Sequence, residues 1–339
     1  MNCIKKVVYG QFFTRDSIWL KRQIEEFILN TNTTIAYDPF AGAGDLLNVA
    51  KRLGYSNIKG LDIDTCLSWD INDSLLNIPR LDNAIIITNP PYISNYSAAR
   101  KGLNNNFVQY FAKSSYDDVY MIALDKMLDA ADYIVAIIPE TFINLNYCKK
   151  HRLQSITILE DNPFCDTDTP VIVACFDNRI KSLDEVAVYK NDRYINSLGA
   201  IERMRLLPSK TINMVFNDKN GWLAVRCVDT TNPREMLKFD FKRNINYDWD
   251  KGIKTSSRLL TLIQVDVKNE QQQDLINSCN CILNSLRDKT DDIIFSPFKG
   301  NMKNGKRRRR LDFLTCRAIV EKAYSQVVRP KTGDLFNYD

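Results

Sequence analysis

The segment AIIITNPPYISNY, residues 84–96, is the most informative stretch of this sequence, because a run of strand-forming residues leads directly into two prolines. Pro90 and Pro91 fix two φ angles and remove two backbone hydrogen-bond donors. The chain can therefore neither continue a strand ladder nor begin a helix at this point. We expect a buried strand over residues 84–88 that ends on a rigid tetrapeptide, residues 89–92.

The first half of the chain alternates apolar, β-branched runs with amphipathic segments. The runs that predict strands are residues 33–38, 57–64, 84–88, 133–139, 155–159 and 171–176, and the segments that predict helices are residues 45–54, 120–131 and 141–150. Alternating strands and helices imply a mostly parallel sheet with helices on both faces. We therefore expect an α/β protein with a doubly wound sheet, whose ligand crevice lies at the carboxyl ends of the strands.

The second half of the chain differs in rhythm and in charge. After residue 177 the strands become short and polar loops dominate, so we place a domain boundary near residues 177–200. Residues 1–176 carry 16 Lys and Arg against 20 Asp and Glu, whereas residues 177–339 carry 30 against 21, which gives net charges of −4 and +9. This asymmetry indicates that the carboxyl-terminal half contacts a polyanion, the alternative being uneven surface charge without a partner.

The composition argues against several classes of site. The nine cysteines are scattered without a CxxC pair, which predicts a reducing compartment rather than a disulfide framework. The single histidine, His151, argues against histidine-rich metal sites and most Ser-His catalytic pairs, so we expect no metal site. The first residues contain no apolar span of membrane-crossing length, and we expect a soluble cytoplasmic protein without membrane contact.

A glycine-rich turn, DPFAGAGDLL at residues 38–47, joins the first predicted strand to the first predicted helix. Gly42 and Gly44 allow the backbone to turn tightly and approach a ligand, and the helix amino terminus behind them offers unpaired N–H groups. The turn is not GxGxxG, and Asp38 at the strand end would repel a pyrophosphate. A ligand with an amino group therefore fits better than a dinucleotide, and a turn that serves only the fold is the alternative.

Three further aspartates lie where a nucleoside could be held. Asp62 ends the second predicted strand, about where a carboxylate can accept hydrogen bonds from both ribose hydroxyls, and Asp64 is the competing residue. Asp73 precedes the next strand and is able to accept a hydrogen bond from an adenine amino group. A solvent-facing surface aspartate is its alternative role.

Four motifs in the order DPFAGAGDLL, GLDID, NDSLL and TNPPY resemble those of S-adenosylmethionine-dependent methyltransferases that act on amino groups. The pentapeptide GQFFT at residues 10–14 resembles the amino-terminal motif of DNA adenine methyltransferases, and the motif order is that of the gamma group, which includes type II restriction-modification methylases. The resemblance covers about residues 9–177. It implies a seven-stranded class I methyltransferase fold, a catalytic domain over residues 1–177 that uses S-adenosylmethionine, and a smaller target-recognition domain over residues 178–339. The cofactor-binding residues that it implies are Thr14, Asp38, Phe40, Gly42, Gly44, Asp62, Ile63 and Asp73.

The NPPY tetrapeptide indicates a way to methylate an aromatic amine without a strong base. The Asn89 side-chain oxygen and the Pro90 carbonyl would each accept one N–H, so that fixed dipoles meet the positive charge developing on nitrogen. Pro91 helps to hold that carbonyl in place. A base stacked in a duplex cannot reach such a site, so the target would flip out and stack between Tyr92 and Phe164, for both of which core packing is the alternative role. Within the family, asparagine before the prolines accompanies adenine as the target.

Positive charge in the second half predicts contacts with the phosphates of double-stranded DNA. KNGKRRRR at residues 303–310 has six positive charges, and its lead-in of glycine and asparagine suits a flexible arm over residues 299–310. Solvated surface charge is the alternative. The candidate DNA-binding residues are Arg234, Arg243, Arg258, Lys306, Arg307, Arg308, Arg309 and Arg310.

Two other classes of function stay open on the sequence. RNA methyltransferases and protein glutamine methyltransferases resemble this chain in their NPPY chemistry, although they usually carry the substrate domain ahead of the catalytic domain. A non-catalytic DNA-binding regulator would be expected to lose Asn89, Tyr92 or the glycine loop, all of which this chain retains. A restriction endonuclease that acts separately is a further partner that the sequence leaves open.

Overall fold

The computed structural model describes residues 18–100, 102, 104–164, 167–249, 253 and 259–328. Two of the predicted contact residues, Thr14 and Arg258, lie outside the described residues, as does the GQFFT segment. The chain divides into two compact units, Met1–Ala200 and Ile201–Asp339. This division lies at the end of the range 177–200 in which the change in sequence rhythm placed the boundary, and beyond the domain limit at residue 177.

The first unit is built on one large sheet. Its strands are β1 (Ile35–Asp38), β2 (Asn57–Asp62), β3 (Asp70–Ile71), β4 (Ala84–Thr88), β5 (Tyr133–Pro139), β6 (Leu153–Ile158), β7 (Val171–Phe176), β8 (Ala187–Lys190) and β9 (Arg193–Ser197). They lie in the order β3-β2-β1-β4-β5-β7-β6-β8-β9. Strand β7 is antiparallel to both of its neighbours and β9 is antiparallel to β8, while the other pairings are parallel.

This arrangement confirms the predicted α/β class and the mostly parallel, doubly wound sheet. The sheet has nine strands in the described part of the chain rather than seven, because the β8–β9 hairpin adds to the edge formed by β6. Backbone pairing of residues 187–190 with β6 is also the reason that the compact unit continues past the domain limit at residue 177.

The helices up to the division at residue 200, which the last of them crosses, include two of the three predicted ones and others that were not predicted. They are α1 (Arg22–Asn30), α2 (Asp45–Arg52), α3 (Asn95–Arg100), α4 (Asn104–Phe111), α5 (Val119–Ala130) and α6 (Leu198–Arg203). The predicted helix over residues 141–150 is wrong, since the chain there forms two 3₁₀ turns, Glu140–Asn144 and Cys148–Arg152. Between them Leu145 is extended, and the weak helix formers Asn144 and Asn146 flank it.

The sheet core explains why the site lies at one edge. Strands β4 and β7 are buried at every residue, as expected for a sheet covered on both faces. Strand β1 pairs in parallel with β2 on one side and with β4 on the other, so the carboxyl ends of all three strands meet. Those ends carry Asp38, Asp62 and Thr88.

The second unit is smaller and antiparallel. Strands β10 (Met214–Phe216), β11 (Leu223–Arg226), β12 (Lys238–Phe241) and β13 (Leu260–Val265) form a sheet in the order β10-β13-β11-β12, and β14 (Ser296–Asn301) pairs with β15 (Arg307–Arg310). Two helices, α7 (Gln272–Lys289) and α8 (Phe313–Val327), pack against each other. No helix among the described residues has both the length and the apolar character needed to cross a membrane.

The predicted flexible arm over residues 299–310 is wrong, because most of this segment forms the β14–β15 hairpin. Arg309 is only 1% exposed, so its side chain is interior and is not available to a phosphate group. Its backbone N–H donates to Asp229 Oδ2 at 2.9 Å. Asp229 is itself fully buried and accepts two hydrogen bonds of 3.0 Å from the guanidinium of Arg287, so the hairpin is anchored on a buried ion pair.

Candidate active site

The loop between β1 and α2 turns through two residues in the left-handed region. Gly42 has a φ angle of 51° and Gly44 a φ angle of 83°, a conformation in which glycine has no steric penalty. Gly44 is the residue before the first turn of α2, and its N–H donates to Ala41 O at 2.7 Å. The predicted tight turn at the helix amino terminus is therefore present, and it leaves the start of α2 facing the strand ends.

Trp69 supports this loop, although the sequence interpretation did not include it. Its indole N–H donates to Gly42 O at 2.9 Å, and a Cβ placed on Gly44 would lie 2.8 Å from the indole ring. A Cβ on Gly60 in β2 would also clash with the ring. A single tryptophan in the polar stretch TCLSWDIND was the available signal.

Asp38 ends β1 and is the most perturbed carboxyl group of the site. It is 1% exposed, and its Oδ1 accepts the N–H of Phe40 at 2.9 Å and the hydroxyl of Thr88 at 2.5 Å. Burial raises the pKa of Asp38 to about 7, against the lowering effect of the two hydrogen bonds, and the charge of Asp62 raises it further. A buried carboxyl group in this state gains from a cationic partner, so Asp38 suits a ligand that carries an ammonium group.

Thr88 is a second residue that sequence reasoning missed. It is fully buried at the end of β4, directly before Asn89, and its hydroxyl joins the end of β4 to Asp38. The sequence feature that could have identified Thr88 is a hydroxyl-bearing residue at the end of an otherwise apolar strand, AIIIT.

Asp62 joins β2 to the glycine loop. Its Oδ2 accepts the N–H of Gly42 at 2.8 Å, and its Oδ1 accepts the N–H of Asp64 at 2.9 Å. Asp62 is 4% exposed, whereas Asp64 is half-buried and Ile63 is 39% exposed. The three consecutive residues thus present a carboxylate, an apolar surface and a second carboxylate at the end of β2.

Asp73 lies farther along, with both carboxylate oxygens engaged. Its Oδ1 accepts the N–H of Leu75 at 3.2 Å, and its Oδ2 accepts the hydroxyl of Tyr110 at 2.8 Å. Tyr110 belongs to α4 and is a third residue that the sequence interpretation did not identify. Because the two residues are far apart in sequence, only the fold brings the phenol to the aspartate.

The NPPY tetrapeptide leaves the end of β4 as predicted, with no regular ladder after Thr88. The hydroxyl of Tyr92 donates to Asn89 Oδ1 and lies 2.6 Å from the carbonyl oxygen of Ile137 in β5. The side-chain oxygen of Asn89 therefore already accepts a hydrogen bond from within its own motif. Burial raises the pKa of Tyr92 well above its ordinary value, so the phenol is a proton donor here.

Phe164 lies beside Tyr92 but inside the protein. Its ring centroid is 6.1 Å from that of Tyr92, with an interplanar angle of 69°, and Phe164 is 1% exposed. Tyr120 contacts Tyr92 from another side at 6.4 Å and 89°. The structure brings the two predicted stacking rings together edge to face, without an open gap for a base between them.

The residues present fit S-adenosylmethionine at this strand edge. A buried carboxyl group with a raised pKa suits the ammonium of the methionine part, and the glycine loop allows a close approach of the backbone. Asp62 or Asp64 offers acceptors for ribose hydroxyls, and Asp73 offers an acceptor for the adenine amino group. Phe40, which is half-buried after β1, and the exposed Ile63 offer apolar surface.

The predicted DNA contacts lie in the second unit with different exposures. Arg234 and Lys306 are exposed, and Arg243 is exposed with its guanidinium 4.6 Å from the ring centroid of Phe241. Arg308 is half-buried, donates to Asp229 O at 2.8 Å and lies over the ring of Phe298. Arg307 and Arg310 are half-buried in β15.

Comparisons with known proteins find similarity over part of this chain. Residues 82–166, which contain NPPY and Phe164, match the Eco57I restriction-modification methylase family. The type II methyltransferase M.HincII of Haemophilus influenzae is 30% identical over 156 residues, which is 42% of this chain and 30% of that protein. M.HindII of the same species is 30% identical over 42% of this chain and 29% of its own length. The matched stretch is thus less than a third of these curated relatives.

Two solved structures are similar to this chain at low sequence identity. The methyltransferase subunit of a type I restriction-modification system from Streptococcus thermophilus is 17% identical, with a TM-score of 0.37 over 58% of this chain and 52% of that one. The M protein of the type I restriction enzyme EcoKI is 12% identical, with a TM-score of 0.37 over 95% of this chain and 71% of that one.

The strand order, the glycine loop and the carboxyl groups at the strand ends define a class I methyltransferase fold, and the residues at those strand ends fit S-adenosylmethionine. Part of this chain is thus similar to methylases of restriction-modification systems.

Proposed function

We propose that this protein transfers a methyl group from S-adenosylmethionine to the exocyclic amino group of an adenine in double-stranded DNA. The observation that carries the proposal is the contact between Thr88 and Asp38 at 2.5 Å. Asn89 follows Thr88 directly in the sequence. The proposed acceptor for the target amine is therefore one residue away from the residue that binds Asp38, the carboxyl group that suits the cofactor's ammonium group.

The chain's own groups supply positioning and electrostatic stabilisation. The bound cofactor would supply an electrophilic methyl group. Asn89 Oδ1 and the Pro90 carbonyl each accept one N–H of the target amine, which holds both protons and directs the nitrogen lone pair outward. As nitrogen becomes positive, these two fixed dipoles stabilise it, and Pro91 limits their reorganisation.

Entry of the base requires Tyr92 to move. Its hydroxyl now donates to Asn89 Oδ1, and the target amine would replace that donor. Once the phenol turns away, its ring can stack on the flipped adenine, and the edge of Phe164 that Tyr92 covers becomes open to the other side of the base. Each stacking contact contributes about 1–3 kcal/mol, which offsets much of the cost of base flipping.

The second unit is the proposed DNA-recognition part. Its net positive charge suits a phosphate backbone. The exposed Arg234, Arg243 and Lys306 are the contacts that we propose, with the half-buried Arg307, Arg308 and Arg310 of β15 as further ones. We also propose, as a partner, a restriction endonuclease that acts separately.

The test is incubation of the protein with methyl-labelled S-adenosylmethionine and plasmid DNA, followed by nucleoside analysis and mapping of modified positions. We expect N6-methyladenine at one recurrent sequence. Label in cytosine would contradict adenine as target, and label only in RNA or in protein glutamine would support the alternative substrates.

Asn89→Ala is the matched control for the proposed chemistry. We expect it to remove methyl transfer while cofactor binding stays within about tenfold, because the lost acceptor acts mainly in the transition state. Turnover above about a tenth of the wild-type rate would contradict the role of Asn89.

A further inference from the structure

A cleft of about 640 Å³ lies in the second unit, separate from the residues of the methyl-transfer site. Four aromatic side chains contribute to its walls, namely Trp222, Phe241, Tyr247 and Trp249. Small-molecule sites typically occupy about 300–1,000 Å³. The cleft is therefore large enough for one nucleotide, and no role has so far been assigned to it.

The aromatic rings of the cleft are held in place before any ligand arrives. The indole N–H of Trp222 donates to Val265 O at 2.9 Å, and that of Trp249 donates to Lys242 O at 3.1 Å. The ring of Tyr247 lies 4.8 Å from that of Trp249 at an angle of 69°. Fixed rings lose little conformational entropy on binding, so their faces are ready to stack on a planar ligand.

Polar groups at the same cleft fit the other parts of a nucleotide. Lys242 and Arg243 bring two positive charges and Asp248 one negative charge, so the cleft is net positive. The carboxamides of Asn220 and Gln272 can each donate and accept hydrogen bonds, as the edge of a base requires. A lipid chain or an aliphatic peptide would use neither the cations nor the carboxamides.

We propose that this cleft binds one unpaired nucleobase of DNA, stacked on Trp249 with its edge against Tyr247, with an adjacent phosphate on Lys242 or Arg243. The base must be unpaired, because in a duplex both of its faces are covered by neighbouring bases. The inference rests on the proposed function only in taking DNA as the ligand. It adds a second base-binding site to the one at the NPPY motif.

Fluorescence titration with two DNA duplexes tests the proposal. Both duplexes have the same sequence and carry a single 2-aminopurine, which is paired with thymine in one duplex and is an unpaired bulge in the other. We expect the wild-type protein to bind the bulged duplex more tightly and to quench its fluorescence. Since one stacked base is worth about 5-fold to 100-fold in affinity, Tyr247→Ala and Trp249→Ala should remove most of that preference.

Phe313→Ala is a matched control, because Phe313 is 39% exposed in the same unit, close to the 37% of Tyr247, and does not contribute to the cleft. It should leave the preference unchanged, and Trp249→Phe should restore part of what Trp249→Ala removes. Equal wild-type affinity for the two duplexes would overturn the proposal, as would a preference that Tyr247→Ala leaves intact. The titration needs no methyl transfer, so its result is independent of whether adenine is methylated.

Discussion

Removal of the Tyr92 hydroxyl tests how the NPPY motif opens. In the structure that hydroxyl lies between Asn89 Oδ1 and the carbonyl oxygen of Ile137, which is 2.6 Å away. It has one proton to share between two acceptors. Tyr92→Phe deletes this donor and keeps the aromatic ring, so it separates the hydrogen bond from the stacking surface.

The expected magnitude follows from that single proton. A hydrogen bond of this kind contributes about 0.5–1.5 kcal/mol net, and a buried acceptor that loses its donor costs about 1–3 kcal/mol. Both effects act on the closed arrangement, because in the proposed open arrangement the target amine donates to Asn89. Tyr92→Phe should therefore ease opening by about 1–2 kcal/mol, or roughly 5-fold to 30-fold.

Steady-state methyl transfer to plasmid DNA is the assay. We expect kcat/KM of Tyr92→Phe to equal or exceed that of the wild type. Tyr92→Ala also loses the ring and should lower kcat/KM by about 5-fold to 100-fold, since stacking is worth about 1–3 kcal/mol. If Tyr92→Phe loses as much activity as Tyr92→Ala, the hydroxyl acts in the reaction itself and our account of the closed motif is wrong.

Three other perturbations address the cofactor site, the second unit and the DNA interface. Burial raises the pKa of Asp38 to about 7, so the fraction of Asp38 in the carboxylate form increases as pH rises through 7. S-adenosylmethionine should therefore bind more tightly at pH 8 than at pH 6. Asp38→Asn should remove most of this pH dependence in calorimetric titrations. The same raised pKa means that the Asp38 contribution to folding stability is greatest below the unfolded value of 3.8 and is lost as pH rises to about 7. Asp229→Asn removes a carboxylate from the buried Arg287 and should lower the free energy of unfolding by about 3 kcal/mol in urea titrations. A loss below about 1 kcal/mol would mean that the ion pair with Asp292 alone is enough to stabilise the Arg287 charge. Lys306→Gln should reduce the slope of log affinity for DNA against log salt concentration by about 0.9. Lys322→Gln, on α8, is the control and should leave that slope unchanged. Equal slopes for the two variants would show that Lys306 does not contact DNA.

The strands that sequence predicted best are the fully buried ones. Residues 84–88, 133–139 and 171–176 form β4, β5 and β7 with the predicted limits, because continuous apolar runs bounded by polar or proline residues have few alternatives. The β8–β9 hairpin was missed because both strands are partly polar and β9 contains no buried residue. Its turn residue Asn191 has a φ angle of 48°, and the dipeptide Asn-Asp was the available signal.

The arginine run at 307–310 shows how a local pattern misled the prediction. As an isolated segment, four arginines suggest a solvated arm. Once the segment is a strand, side chains alternate between two faces, and Arg309 points inward. The backbone N–H of Arg309 donates to the buried carboxylate of Asp229, which is 80 residues away in sequence, so this contact could not be predicted from the sequence alone.

Within the candidate site, the sequence predicted motif residues but not the contacts between motifs. Trp69 reaches Gly42 across 27 residues, Tyr110 reaches Asp73 across 37, and Thr88 reaches Asp38 across 50. Each of these contacts depends on a strand order that composition and spacing do not specify. Local chemistry was therefore predictable, while the groups that hold it in place were not.

The ladder between β1 and β4 is what makes the tetrapeptide useful at this position. Residues 35–37 pair with residues 84–86, so the parallel register brings the end of β4 level with Asp38. A slip of one residue would turn Thr88 to the opposite face of the sheet and break its hydrogen bond to Asp38. The position of Asn89 relative to the Asp38 carboxylate is thus set by a buried strand pair and not by a loop. This placement explains how a motif without regular hydrogen bonding can keep its two acceptors aligned.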